Sequence, residues 1–340
     1  MPKGELVEYL DNIDVEGSIY YYLIPSTTTL GGHGNPRSEV YTFTLEDKLV
    51  PSYLMLVASS IDFKGNMVWK VSLNGITLTR EFKPQTLIEL DDKLYAMQVF
   101  DITQLTQTPG KYSLKITCES SEPVFIEALY MIGVMYRKDV RASLSMNAGV
   151  LGLKPGEEVN LKLKLPKYKL NDSLILVYNS PSKRALVKLS IGDLEYNIKD
   201  KLGTSELSLN NILARCESKV LKITHEKPQI TYYPKYFKIF GYAIYSTNIS
   251  GPEIKLKDLK VLSDEGVVKL LLTNEGDVEA NNVIIVGIRM GEIVFRDLIK
   301  KFKPKDIMER TYKVHFKANN LMLRVIYRGL RGQIIRTYKT

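Results

Sequence analysis

Two cysteines, three histidines and one tryptophan in 340 residues leave little material for several kinds of chemistry. With only Cys118 and Cys216, a disulfide framework is not expected, and both are read as free thiols. None of His33, His225 and His315 has a second His, Cys or carboxylate at metal-ligand spacing, so neither a metal site nor a cofactor is expected. The chain has no Gly-x-Ser-x-Gly elbow and no Gly-x-x-x-x-Gly-Lys loop, and neither cysteine has a catalytic partner close in sequence. The expectation is a protein that is not an enzyme. No apolar run approaches the ~20 residues that cross a bilayer as a helix. The amino-terminal stretch from Met1 to Tyr9 is polar and lacks the apolar centre of an export signal. Synthesis in the cytoplasm without signal-directed export is the matching expectation, with a final place in a virion or on a surface compatible with it.

Helical periodicity is scarce as well, with short helices suggested only at 5–12 and 208–214. What fills the chain instead is alternation with period two. Leu54–Val57, Val68–Leu73, Tyr112–Ile116, Phe125–Tyr136, Leu174–Tyr178, Leu186–Ile191, Val220–Ile223 and Val283–Ile288 read as strands. Turn signals separate them: Lys64-Gly65-Asn66, Asn74-Gly75, Pro109-Gly110, Pro155-Gly156 and Asn274-Glu275-Gly276. Many short strands punctuated in this way predict β-sandwiches or barrels. The 21 tyrosines suit sandwich walls, where a ring packs on the dry side and its hydroxyl reaches water.

Four segments recur in the same order. Leu54–Ser59 matches Leu174–Asn179, Trp69–Gly75 matches Val187–Asp193, Ser113–Glu119 matches Val220–Glu226, and Met131–Val134 matches Ile239–Tyr242. Residues 1–140 and 141–250 are therefore read as a duplicated unit, length differences falling in loops. A polar stretch at 247–253 then suits a junction to a third unit, 251–340. Charge divides along the same lines. The first unit has 12 Lys+Arg against 18 Asp+Glu, the second 17 against 9, and the third 18 against 11. An acidic front and a basic rear point to acidic partners for the rear, or to the molecule's own front.

Trp69–Gly75, followed by Phe100-Asp101-Ile102-Thr103 and by Pro109-Gly110-Lys111-Tyr112-Ser113-Leu114-Lys115-Ile116, resembles the galactose-binding-like jelly rolls that accompany many glycosidases and surface proteins. The second unit keeps the strands but has Leu209-Asn210-Asn211 where the first has Asp101-Ile102-Thr103. In the third unit, Val268–Asp277 and Ala280–Val286 resemble an immunoglobulin-like module of archaeal and bacterial surface proteins. The expected fold is all-β: two tandem jelly-roll-like β-sandwiches plus a C-terminal immunoglobulin-like β-sandwich. The combination is similar in architecture to archaeal surface or archaeal-virus structural proteins, and on that analogy alone a virion or surface role is implied.

Candidate sites are few. Trp69 shares a strand face with Val71 and Leu73, which favours a core position over a sugar platform. His33 lies in Gly31-Gly32-His33-Gly34-Asn35-Pro36, a loop followed by a strand, which is the wrong context for a phosphate cradle. Glu89, Asp91 and Asp92 form an acidic cluster without a calcium-ligand register and read as a solvated loop. Asn171 and Asn248 begin glycosylation sequons that decide nothing. Lys300, Lys301, Lys303 and Lys305 bracket Phe302 and Pro304, and Arg324, Arg328, Arg331 and Arg336 follow. This basic patch with interleaved aromatics could track nucleic acid, or simply form an exposed sheet face.

The first functional reading is a non-enzymatic structural or interaction protein, a component of an assembly such as a virion or surface appendage, with protein partners or self-assembly. The alternative is a carbohydrate-binding module, with loops 27–35 and 62–66 and in particular His33, Asn35, Asp62 and Asn66 as its glycan contacts. A basic nucleic-acid-binding adaptor is the third reading.

Overall fold

The structure is a computed structural model that describes residues 1–24, 28–63, 67–138, 140–168, 171–212, 219–227, 235–249, 251–262, 265–276, 278–314, 321–329 and 332–339. Its elements divide into two compact units, Met1–Asn248 and Ile249–Thr340. The first carries β1 (Lys3–Glu16), β2 (Ser18–Ile24), β3 (Thr29–Leu30), β4 (Ser38–Leu45), β5 (Leu49–Ser60), β6 (Val68–Leu73), β7 (Ile76–Glu81), β8 (Thr86–Leu90), β9 (Lys93–Asp101) and β10 (Gly110–Cys118). It continues with β11 (Val124–Met135), β12 (Val140–Leu153), β13 (Glu158–Lys162), β14 (Asp172–Ser180), β15 (Val187–Ile191), β16 (Leu194–Ile198), β17 (Gly203–Asn210), β18 (Val220–His225) and β19 (Phe237–Ile249). The second unit carries β20 (Ile254–Leu262), β21 (Val267–Asn274), β22 (Ala280–Arg289), β23 (Glu292–Phe302), β24 (Ile307–Lys313), β25 (Met322–Gly329) and β26 (Gly332–Lys339). Among the described residues the only helical turn is a 3-10 turn at Thr103–Leu105. The protein is an all-β sandwich fold, as its alternation predicts.

The first unit is a stack of four sheets. An outer sheet ordered β4-β10-β6-β7 faces an inner sheet ordered β2-β11-β5-β9-β8, with β3 also on β11. A second inner sheet, β1-β12-β19-β14-β17, faces a second outer sheet, β13-β18-β15-β16. Three cores result, and strand alternation builds all three. Along β5, Leu54, Leu56 and Ala58 enter the first core, around Trp69. Met55 and Val57, one residue out of phase, enter the middle core between the two inner sheets. Strands buried on both faces must be apolar throughout, which is why β5 reads Leu-Met-Leu-Val-Ala without polar interruption. The third core gathers Leu174, Leu176, Leu189 and Phe237.

The repeated segments sit on β5, β6, β10 and β11 in one copy and on β14, β15, β18 and β19 in the other. Both copies take equivalent places: β10 lies beside β6 as β18 lies beside β15, and β11 beside β5 as β19 beside β14. Strand β1 crosses the expected border at residue 140, because it pairs with β12 from Lys3↔Gly152 to Glu16↔Arg141.

Two sequence expectations are corrected here. Residues 5–12 are strand, not helix. Register shifts between Glu8 and Leu10 and between Leu10 and Ile13 insert extra residues, so Leu10 and Ile13 reach the same core three positions apart. Two bulges thus imitate helical spacing. Residues 208–210 likewise close strand β17, while 213–214 lie outside the described residues.

The acidic β1 also meets basic residues of the same unit. Lys164 pairs with Glu8 at 2.8 Å and Asp11 at 2.7 Å, and Asp14 takes Lys167 at 2.6 Å and Arg141 at 3.0 Å. Partial burial of Asp14 works against ionisation. Hydrogen bonds from Lys167, Arg141 and Tyr168 outweigh it and hold the carboxyl down to about 2.

The second unit packs a sheet ordered β20-β21-β24 against one ordered β23-β22-β25-β26. Its core is closed by Phe302, Tyr327, Leu272 and Ile285. Asn274, which is fully buried, ties the turns at one end: its side chain donates to the Val278 and Phe302 carbonyls at 2.8 and 3.0 Å and accepts from the Glu253 and Gly276 amides, both at 3.1 Å.

Candidate carbohydrate-binding loops of the first sandwich

Three loops meet at one end of the first sandwich. Gly31 and Gly32 have φ of +69° and +66°, values open to glycine at little cost. This conformation lets the Gly31 amide donate to the Pro36 carbonyl and the Gly32 amide to the Ser120 carbonyl, each at 2.9 Å. A side chain on Gly32 would come within 3.0 Å of Pro123. From the other flank, the buried Ser60 hydroxyl donates to the Pro123 carbonyl at 2.9 Å and to the Asp62 carbonyl at 3.2 Å. The turn at 119–123 therefore holds both the loop bearing His33 and Asn35 and the loop bearing Asp62. His33 is exposed, and Asn35 and Asp62 are half-buried. Asn66 and Thr27 lie outside the described residues.

Beside Asp62 stands a feature that the sequence reading missed. The rings of Phe63 and Phe82 stack at 4.3 Å between centroids and 20° between planes, and both residues are half-buried. Trp69 meets Phe82 edge-on at 5.4 Å from beneath. Trp69 itself is wholly buried and donates from Nε1 to Gln98 Oε1 at 2.8 Å, so its core position is confirmed. The available signal was an aromatic set among charged residues, Asp62-Phe63-Lys64 and Glu81-Phe82-Lys83, where a purely solvated loop has no use for a large ring.

Other sequence candidates go elsewhere. Asp91 and Asp92, with φ of 50° and 62°, form the two-residue turn joining β8 to β9. Asp91 Oδ2 accepts from the Tyr236 amide at 3.1 Å. Nearby, Lys238 is buried between the inner sheets, 3.4 Å from Asn179 Oδ1 and 5.0 Å from the Tyr95 ring centroid. Burial lowers its pKa, opposed by the charges of Glu127 and Asp91. His225 is buried with Nδ1 2.9 Å from the Leu153 carbonyl, and burial pushes its pKa down. Cys118 is a buried free thiol whose pKa burial raises, while Cys216 and His315 lie outside the described residues. Among the described residues, no group of three or more His, Cys, Asp or Glu is placed to hold a metal ion, and no helix is long and apolar enough to cross a membrane.

The basic patch separates into two parts. Lys300, Arg324 and Arg328 lie on the outer face of the β23-β22-β25-β26 sheet, where they are exposed. Lys301, Lys303 and Lys305 are exposed elsewhere: Lys301 is 3.7 Å from Glu279, and Lys305 Nζ donates to the Glu275 carbonyl at 2.6 Å. Arg336 turns toward Tyr327 and Glu253, both at 3.3 Å, and Arg331 lies outside the described residues. Phe302 is wholly buried and Tyr327 nearly so. The aromatics that alternate with the basic residues in sequence therefore point into the core, away from the cations.

No family model matches the chain, and no curated protein matches it. Solved structures similar to it include the glycoside hydrolase domain of Endo-D from Streptococcus pneumoniae, at 10% identity over 57% of this chain and 33% of that one, with a TM-score of 0.23. PNGase F, a glycosylasparaginase from Flavobacterium meningosepticum, is similar at 11% identity over 68% of this chain and 99% of that one, with a TM-score of 0.26. A β-glucuronidase from Ruminococcus gnavus is similar at 13% identity over 56% of this chain and 36% of that one, with a TM-score of 0.20. This chain thus spans about a third of the first and third. These neighbours are named for glycoside and glycosylasparagine chemistry and not for virions or appendages, which corrects the expectation of a structural component of such an assembly. Likeness at this level carries none of their activities to this chain.

Proposed function

We propose that the first sandwich of this protein binds carbohydrate at the end formed by the loops at 31–37, 60–63 and 118–123. The observation that carries the reading is the stacked, half-buried Phe63–Phe82 pair beside Asp62. Pyranose rings present a face of C–H bonds that packs on an aromatic ring, while their hydroxyls need polar partners at the rim. Phe63 and Phe82 supply the ring face, Asp62 adjoins Phe63 in sequence, and Asn35 and His33 on the loop tied to the same turn offer further donors and acceptors. Loops tied to a common turn by the Gly32 and Ser60 hydrogen bonds lose little freedom on binding, so more of the contact energy appears as affinity. The jelly-roll resemblance of Trp69–Gly75 and Asp101-Ile102-Thr103 supports the same reading.

A glycan array probed with the full chain tests it. The expected result is binding to a defined glycan set that Phe63→Ala and Phe82→Ala each weaken by about tenfold or more, which corresponds to about 1.4 kcal/mol or more. Absence of any binding by the unaltered chain, or binding that both variants retain, overturns the proposal.

A further inference from the structure

The outer face of the β23-β22-β25-β26 sheet has an order that no structural need explains. The registers Ile284↔Leu298, Ile284↔Ile326 and Ile326↔Ile335 place four aliphatic side chains in one row running across all four strands. Leu298 and Ile335, at the two ends, are 50% and 54% exposed. Two residues along β23 and β25, on either side of that row, stand cations, while β22 carries Val286 and β26 carries Thr337 and Gln333 level with them. Arg296 and Arg324 flank it on one side, both opposite Val286, and Lys300 and Arg328 on the other. All four are exposed, and none has a hydrogen bond or ion pair among the described residues. Among the described residues, the remaining positions on the face, Gln333 and Thr337 among them, bring no acidic residue.

The dimensions define what would fit. Strands lie about 4.8 Å apart, so the aliphatic row is about 14 Å long, which a helix covers in about ten residues. Same-face neighbours along a strand are about 7 Å apart, so the two cationic rows are about 14 Å from each other, slightly more than the 10–12 Å diameter of a helix. Arginine and lysine are longer than isoleucine and leucine, so the cations stand higher than the row and form a trough with an apolar floor. A flat bilayer would meet the cation heads and leave the floor empty. Nucleic acid would find charge but no ring to stack on, since Phe302 and Tyr327 are turned into the core. A rod with an apolar stripe and acidic flanks satisfies both floor and walls.

We propose that this face is a docking surface for an acidic amphipathic helix of a partner protein, its apolar stripe on Leu298, Ile284, Ile326 and Ile335 and its carboxylates against Arg296, Arg324, Lys300 and Arg328. The test uses the full chain and fluorescence anisotropy of a synthetic helical peptide whose leucine stripe is flanked by glutamates. Two comparison peptides keep the glutamates with serine in place of leucine, or keep the leucines with lysine in place of glutamate. Binding of the first peptide alone is expected, weakened by about tenfold or more both by Arg324→Glu with Arg328→Glu and by Ile335→Asp. These are exposed positions, so thermal melting of the variants should match the parent. Equal binding of the serine peptide, tighter binding of phosphatidylserine vesicles or single-stranded DNA than of the first peptide, or no binding to any probe overturns the proposal.

Discussion

The Tyr130 hydroxyl donates to the Phe240 carbonyl at 2.9 Å, joining the two inner sheets through the middle of their shared core. Phe240 is the residue that the β14–β19 register skips, between Val177↔Gly241 and Tyr178↔Ile239. At Gly241 a side chain would come within 2.5 Å of that hydroxyl. Tyr130→Phe removes the donor and leaves a buried carbonyl without its side-chain partner. Urea unfolding of Met1–Asn248 should lose about 1–3 kcal/mol, with an unchanged dependence on denaturant.

Trp69 fills the first core with no exposed surface, and its indole N–H meets buried Gln98. Trp69→Ala should cost about 3–5 kcal/mol through the cavity and the stranded amide. Trp69→Phe, which keeps most of the volume, should cost less. Chemical denaturation of the two variants checks the order.

Alkaline stability should fall steeply. Burial raises the phenols of Tyr21, Tyr95, Tyr130 and Tyr312, and it pushes Tyr242 up to about 12. A folded-state pKa above the unfolded 10 means stability that is complete below pH 10 and lost as pH rises through the folded value. Lys238, lowered by burial, works in the opposite direction below 10.5 but is a single group. Melting temperature followed from pH 9 to 12 should therefore drop beyond pH 10, and Tyr242→Phe should lessen the drop.

Acid acts in two windows. His225 has its pKa lowered by burial, so the stability of keeping it neutral is present above pH 6.5 and declines as pH falls through its folded value. Asp14, held down to about 2, contributes above 3.8 and loses that contribution as pH approaches 2. His225→Gln should flatten the first decline only, and Asp14→Asn the second only, in melts recorded against pH.

The two compact units should separate. A chain ending at Asn248 should express as a folded, strand-rich protein, because β1 to β19 complete all three cores of the first unit without residues from the second. Circular dichroism and a cooperative melt check it, and an aggregated or unfolded product would contradict it.

Local signals decided much of this architecture. Asn74-Gly75 predicts a tight hairpin, and both residues have positive φ between β6 and β7. The matched glycines of the fourth repeated segment, Gly133 and Gly241, are both positions where a side chain would strike a neighbour, Pro51 in one case and Tyr130 in the other. Trp69 was legible from its phase with Val71 and Leu73. At the candidate sugar site, His33, Asn35 and Asp62 were legible as loop residues, but the Phe63–Phe82 pair joins residues nineteen positions apart and needed the turn geometry to bring it together.

Strand alternation and turn residues are properties of neighbouring positions, so the sequence by itself determined an all-β chain, its strand punctuation and its internal repeat. What lay beyond it depends on pairing between distant strands. Only the tertiary structure decided that β1 joins β12, from Lys3↔Gly152 to Glu16↔Arg141, that its two bulges give strand residues a helical spacing, and that Phe302 turns inward while Arg324 and Arg328 turn outward. Each of these is a choice of face, set by which partner strand completes the hydrogen-bond ladder and by which core has room for the side chain.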